Sequence, residues 1–152
     1  MKKLFWILFF TYCAVLAEIL LLGRSACTDV PVKEYFMTYA NPVPLRTLIR
    51  YVSFFVKRKD LHSFRLAFSN IMGNFLLFLP MGFCLPVLLG RRGRFRRSFW
   101  VILATVFFTE LFQGLFRVGI PDIDDLTVNM AGAYLGILLS GHCFFTKAAN
   151  RR

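Results

Sequence analysis

Acidic residues are scarce in this chain: eight Asp and Glu stand against 19 Lys and Arg, giving a formal net charge of +11 over 152 residues. Histidine occurs twice, as the isolated residues His62 and His142, which leaves little for a histidine-based metal or proton-relay site. Of the four cysteines, Cys13, Cys84 and Cys143 sit inside apolar runs and Cys27 stands alone, so no metal-ligand or redox spacing exists among them. There is no internal repeat and no low-complexity linker, which argues for a single domain over residues 1–152.

What the chain has in abundance is apolar surface. It is 57% hydrophobic and 17% aromatic, with a mean hydropathy of +0.60, far above the usual soluble domain. A bilayer core about 30 Å thick needs roughly 20 apolar residues per helical span. Four runs qualify, over residues 4–22, 66–90, 98–116 and 125–145. The first is too long for a signal-peptide core and contains Glu18, so it reads as a retained span. Pro80 and Pro86 in the second are tolerable in a membrane helix.

Basic residues set the expected orientation. Lys2 and Lys3, the arginines of RRGRFRR (Arg91, Arg92, Arg94, Arg96 and Arg97) and the tail residues Lys147, Arg151 and Arg152 form three short segments without an acid. These belong in the cytoplasm. The expectation is an all-α integral membrane protein of the cell membrane, multi-pass, with four transmembrane helices and both termini cytoplasmic. The same placement explains the positive charge by anionic membrane lipids and topology, with no nucleic acid partner.

The long first outer loop contains PLRTLIRYVSFFVKRKD. Leu45, Leu48, Ile49, Val52, Phe55 and Val56 follow helical spacing on one side, and Arg46, Arg50, Ser53 and Lys57 on the other. This predicts an interfacial amphipathic helix over about residues 44–59, its apolar face in the membrane surface and its basic stripe available to a phosphate or carboxylate.

Depth then organises the polar residues of the spans. Asn70 and Asn74 fall in the first turns of the second span, with Gly73 beside them for close helix approach. Glu110 and Gln113 lie in the last turns of the third, with Arg117 extending their face at i+7. Glu18 ends the first span at the same level, and Asp122, Asp124, Asp125 and Asn129 begin the fourth. Ionisable residues at membrane depth normally face protein or a watery cavity, so these groups are expected to share one outer-leaflet polar pocket. In PDIDDLTVN, Asp122 is placed as helix N-cap and Asp124 and Asp125 in the first turn, where negative charge opposes the helix dipole. Asp122, Asp125 and Asn129 share a face that continues into Gly132, Gly136 and Ser140, small residues that let a neighbouring helix pack closely.

Three chemistries are open to such a pocket. It can bind a lipid-linked or cell-wall headgroup, or a lipoglycopeptide, through Asn70, Asn74, Gln113, Asn129, Arg46, Arg50 and Arg117. It can be catalytic, with Glu110, Asp122 or Asp125 as general base and Asp122, Asp124 and Asp125 holding Mg²⁺ or Ca²⁺ against a phosphate- or carbonyl-containing lipid-linked substrate. Zinc is a poor match because no His or Cys joins the cluster. It can also be structural, or the vestibule of a small transporter, although four spans are few for alternating access.

The segments NPVPLRTLIRY (Asn41 to Tyr51), NIMGNFLLFLPMGF (Asn70 to Phe83), TELFQ (Thr109 to Gln113) and DIDDLTVNMAGAYLG (Asp122 to Gly136) together resemble the VanZ-like family of bacterial membrane proteins, in the family's order. Its motif positions correspond here to Asn70, Gly73, Asn74, Pro80, Gly82, Glu110, Gln113, Asp122, Asp124, Asp125, Asn129 and Gly132. Many members carry an arginine shortly before the first aspartate. This chain has VGIPD, with Arg117 five residues ahead, so that arginine's role falls to Arg117 or the basic stripe, or is lost. The family's namesake is associated with resistance to the glycopeptide teicoplanin, without making the altered peptidoglycan termini that confer vancomycin resistance. The resemblance therefore implies a role at the cell envelope. It implies no reaction. Topology has a direct check, in a background lacking the native cysteines. Ile120→Cys is expected to react with an impermeant thiol reagent applied outside the cell and Gly93→Cys is not; the reverse pattern moves the pocket to the cytoplasm.

Overall fold

A computed structural model describes residues 2–23, 25–26, 29–58, 61–90 and 94–149 of the chain. Cys27, Arg91, Arg92, Arg151 and Arg152 lie outside the described residues. The side chains of Cys143 and Lys147 are likewise outside them.

The architecture is all-helical: α1 (Lys2–Ala17), continued by a π-helical turn (Glu18–Leu22), then α2 (Val32–Tyr39), α3 (Arg46–Arg58), α4 (Leu61–Leu89), α5 (Arg94–Leu115) and α6 (Ile123–Ala149). No strand occurs among the described residues, only an isolated backbone bridge between Asn41 and Asp122. Three helical segments are long and apolar enough to cross a membrane: Lys3–Leu22, Phe64–Leu89 and Arg94–Leu115. Their outward surfaces carry exposed Leu4, Leu8, Phe10, Leu76, Phe107 and Phe108. So continuous an apolar exterior suits a membrane protein and would be an aggregation liability in water. The helices match the runs read from sequence to within a few residues, except that α4 begins at Leu61, before its apolar stretch. α2 was not expected.

Packing centres on α4 and α6, the most extensive helix pair. A Cβ placed on Gly132 would lie 2.0 Å from the Phe75 carbonyl oxygen, and one on Gly136 would lie 2.2 Å from that of Leu79. From the other side, a Cβ on Gly82 would lie 1.9 Å from the Ala133 carbonyl oxygen. The bare backbones therefore touch, the arrangement that small residues permit when there is no water to drive helices together. Because Phe75 and Leu79 advance in step with Gly132 and Gly136, α4 and α6 run parallel, and α5 is the return between them. Phe78, Ile102, Val106, Ala133 and Ile137 fill the core around this seam.

Gly73 does not take part. A Cβ there would meet nothing within 4 Å, so the close approach expected beside Asn74 is made instead by Gly82. The reason is rotational: α4 turns Asn74 inward, leaving it 7% exposed, and the adjacent position points away from the seam.

α1 is held more lightly. The Tyr12 hydroxyl donates to the Leu77 carbonyl of α4. The Gln113 amide donates to the Leu20 carbonyl at 2.9 Å. Leu20 lies in the π-helical turn that ends with the Gly23 N–H bonded to the Glu18 carbonyl at 2.7 Å. A helix end leaves carbonyls without intrahelical donors, and Gln113 supplies one from α5.

The seam makes a contrast that can be measured. Gly132→Ala and Gly136→Ala are expected to lower stability by about 1–3 kcal/mol, the usual effect of forcing atoms into a packed contact. Gly73→Ala is expected to be neutral or stabilising by up to about 1 kcal/mol, since glycine is a poor helix former. Thermal unfolding of the purified variants in detergent reads both; equal losses at all three positions would contradict the close-packed seam.

Candidate functional site

The site is built where the connection from α2 to α3 crosses the start of α6. Pro42 and Pro44 keep residues 40–45 out of helix, and Asn41 pairs with the α5–α6 turn through its backbone. Its N–H donates to the Pro121 carbonyl at 2.9 Å, and its own carbonyl accepts from Ile123 at 3.1 Å. Its side-chain Nδ2 donates to Asp122 Oδ1 and to Thr47 Oγ1, each at 3.0 Å.

The aspartates divide the work between them. Asp122 is the N-cap of α6, its Oδ1 accepting from the Asp124 N–H at 2.8 Å, as the Pro-Asp start predicts. Its Oδ2 accepts from the Thr47 hydroxyl at 2.5 Å. Asp124 is the most buried of the three, 3% exposed, and it faces α3. Its Oδ1 accepts from the Leu45 N–H at 2.5 Å, and its Oδ2 from the N–H groups of Thr47 at 2.8 Å and Leu48 at 3.4 Å. A carboxylate on one helix thus caps the N-terminus of another, satisfying orphan amide donors. Leu45 adopts φ 64°, a left-handed conformation that costs an L-residue on the order of 1–2 kcal/mol. The bond to Asp124 offsets that cost by turning the Leu45 N–H onto a charge.

Asp125 lies beside a cavity of about 500 Å³, open on one side, which Asp122, Arg46, Arg50, Tyr51 and Asn70 also line. α3 contributes the two arginines one turn apart, α4 contributes Asn70, and the first turn of α6 contributes the carboxylates. Partial burial pushes the Tyr51 phenol above its ordinary range, the Asp125 and Asp122 carboxylates add to the shift, and Arg50 opposes it. Tyr51 therefore remains a protonated hydrogen-bond donor in this cavity.

The single shared pocket expected from depth is corrected by this geometry. Arg46, Arg50, Asn70, Asp122 and Asp125 are brought together; the others are not. Asn74 and Asn129 are buried, and Asn129 Oδ1 makes no hydrogen bond among the described residues. Gln113 is committed to Leu20, and Glu18 is exposed away from the cavity. Glu110 is 8% exposed and lies in a separate, mainly apolar groove, its Oε2 3.3 Å from the Asp122 N–H. Arg117 does not extend the face of Glu110 and Gln113, because α5 ends at Leu115 and Arg117 has φ 56°. Its guanidinium donates to the Val30 carbonyl at 2.7 Å. The proposed Mg²⁺ or Ca²⁺ ligands Asp122, Asp124 and Asp125 do not converge: among the described residues no three Asp, Glu, His or Cys side chains form a cation cage. Asp124 turns both oxygens toward amide donors instead.

Sequence reasoning missed Asn41, Thr47 and Tyr51. A signal existed, since Thr47 and Tyr51 repeat the one-turn spacing of Arg46 and Arg50 on the adjoining stripe.

Long apolar helices joined to a clasped polar cavity describe an α-helical membrane protein with a small polar cavity between two helix starts. The chain belongs to the VanZ/LLP1 family, whose profile matches residues 9–144. It is 31% identical to Protein VanZ of Enterococcus faecium over 74 residues, which cover 49% of this chain and 45% of that protein. The similarity thus spans less than half the length of that relative. No solved structure matches the chain.

The clasp and the cavity separate by mutation. Asp124→Asn removes the charge from bonds to buried amides and is expected to cost about 1.5–3 kcal/mol, read as a lower unfolding temperature. Asp125→Asn is expected to leave that temperature within the range of a surface change, about 0.5 kcal/mol. The opposite ranking would reverse the roles assigned to the two residues.

Proposed function

We propose that this is a four-span protein of the bacterial cytoplasmic membrane, with both termini in the cytoplasm and the cavity at the outer face. There the cavity binds a cell-envelope or lipid-linked headgroup, or a lipoglycopeptide, and contributes to glycopeptide resistance of the teicoplanin type. The fourth span is α6, whose 27 residues extend about 40 Å and pack in parallel along α4. α3 lies in the outer interface, with Ile49, Val52 and Val56 exposed toward lipid and Arg46 and Arg50 at the cavity.

The observation that carries the reading is the cavity's chemistry. Guanidinium, carboxylate, amide and phenol groups line one open space of about 500 Å³, at the start of a long apolar helix. That is a recognition surface for a polar group presented at a membrane. The resistance role rests on membership of the VanZ/LLP1 family.

Expression in a teicoplanin-susceptible bacterium tests both parts. The wild-type chain is expected to raise the teicoplanin concentration needed to stop growth, and the paired change Arg46→Ala and Arg50→Ala to abolish that effect at unchanged membrane abundance. Glu110→Gln is expected to keep it, because an amide oxygen still accepts the Asp122 N–H from outside the cavity. Loss of activity in Glu110→Gln at normal abundance would favour the catalytic reading. Retention in the double arginine variant would contradict a role for the cavity.

A further inference from the structure

Resting on the binding role just proposed, and on which of the cavity's charges the protein already uses, we infer that the cavity takes a phosphate group between the guanidiniums of Arg46 and Arg50, and that an anionic lipid headgroup supplies it. Among the described residues four charged side chains line the cavity: Arg46, Arg50, Asp122 and Asp125. Both carboxylates are engaged within the protein. Asp122 accepts from Asn41 and Asp124 on Oδ1 and from Thr47 on Oδ2, and Asp125 also has an interaction inside the chain. The guanidiniums are not engaged. Among the described residues neither Arg46 nor Arg50 has a side-chain hydrogen bond or ion pair, and both are exposed. The charge left over for a ligand is therefore positive.

A phosphate suits that charge better than a carboxylate does. The two arginines sit one turn apart on one side of α3, so their forks converge on one small anion. A single guanidinium in a bidentate pair already occupies both oxygens of a carboxylate, whereas a phosphate has oxygens left for the second. Tyr51, which lines the same cavity and keeps its proton, adds a neutral donor. The place of α3 points to the source. Ile49, Val52 and Val56 are exposed on an adjoining face of the helix. With that face in the hydrocarbon boundary, Arg46 and Arg50 lie at the depth of lipid phosphates. Lys57 belongs to the same basic stripe but does not line the cavity, which makes it the control for diffuse attraction to an anionic surface.

The full chain, purified in detergent, can be titrated with phosphatidic acid, with diacylglycerol of the same acyl chains and with inorganic phosphate, binding being read by native mass spectrometry and by the shift in unfolding temperature. Phosphatidic acid is expected to bind about tenfold more tightly than diacylglycerol, the discrimination one charge-assisted contact supplies. Arg46→Ala together with Arg50→Ala is expected to bring that ratio close to one, and Lys57→Ala to leave it unchanged. An equal loss in Lys57→Ala would show a diffuse attraction and overturn the site. Inorganic phosphate is expected to bind more weakly than phosphatidic acid by about tenfold; tighter binding of inorganic phosphate would keep the arginine site and overturn its assignment to lipid. A wild-type ratio near one, or a ratio unchanged in the double arginine variant at unchanged unfolding temperature, would overturn the inference outright. The resistance assay is a separate readout. Phosphate-dependent binding without any effect on teicoplanin susceptibility would sink the resistance role and leave the ligand assignment standing, and resistance that needs both arginines without phosphate discrimination would do the reverse.

Discussion

The carboxylate of Asp124 is the point on which the site depends. It is buried, and a buried carboxylate is costly unless its charge is met by hydrogen bonds. Here the N–H groups of Leu45, Thr47 and Leu48 meet it, which are the donors that the start of α3 leaves without intrahelical partners. One interaction therefore solves two problems at once, across 76 to 79 residues of sequence. Without it, α3 would have an uncapped start, a strained Leu45 and no fixed place relative to α6.

Asp122 and Asn41 extend that contact into a clasp. Asp122 caps its own helix while taking the Thr47 hydroxyl, and Asn41 bonds to Thr47, to Asp122 and to the backbone on either side of Asp122. The clasp matters because of what it faces. α6 is set against α4 by backbone contact at Gly132, Gly136 and Gly82, so its first turn has a defined position, and α3 inherits that position through the two aspartates. Arg46 and Arg50 are thereby brought opposite Asp125, with Asn70 of α4 beside them. Packing deep in the bundle and charge at its surface are parts of one arrangement.

Much of this was legible in the chain, and the failures have a common physical origin. Apolar run length located the long helices, the spacing of Arg46 and Arg50 gave α3, Pro121–Asp122 gave the cap of α6, and Gly132 and Gly136 gave its packing face. Depth also grouped the polar residues near one end of the spans. Depth, however, is a single coordinate. Which neighbour each residue meets depends on the rotation of its helix, and rotation is set by tertiary contacts that no local pattern reveals. Hence Glu110 and Gln113, three residues apart, serve Asp122 and Leu20 on different elements, Gly73 faces away from the seam, and Arg117 leaves the helix that was expected to carry it. The three aspartates show the same limit. Their letters suggested one shared metal or binding site, whereas adjacent positions on a helix point about 100° apart, so Asp124 meets α3 and Asp125 meets the cavity.

The central claim is that Asp124 and Asp122 fasten α3 to α6 and so create the cavity. Amide hydrogen exchange of the full chain in a lipid or detergent environment tests it most directly, at Leu45, Thr47 and Leu48. The account predicts that these three amides exchange as slowly as those in the first turns of α6, because they open only when the clasp opens. Exchange as fast as that of an exposed loop, with α6 still protected, would contradict it.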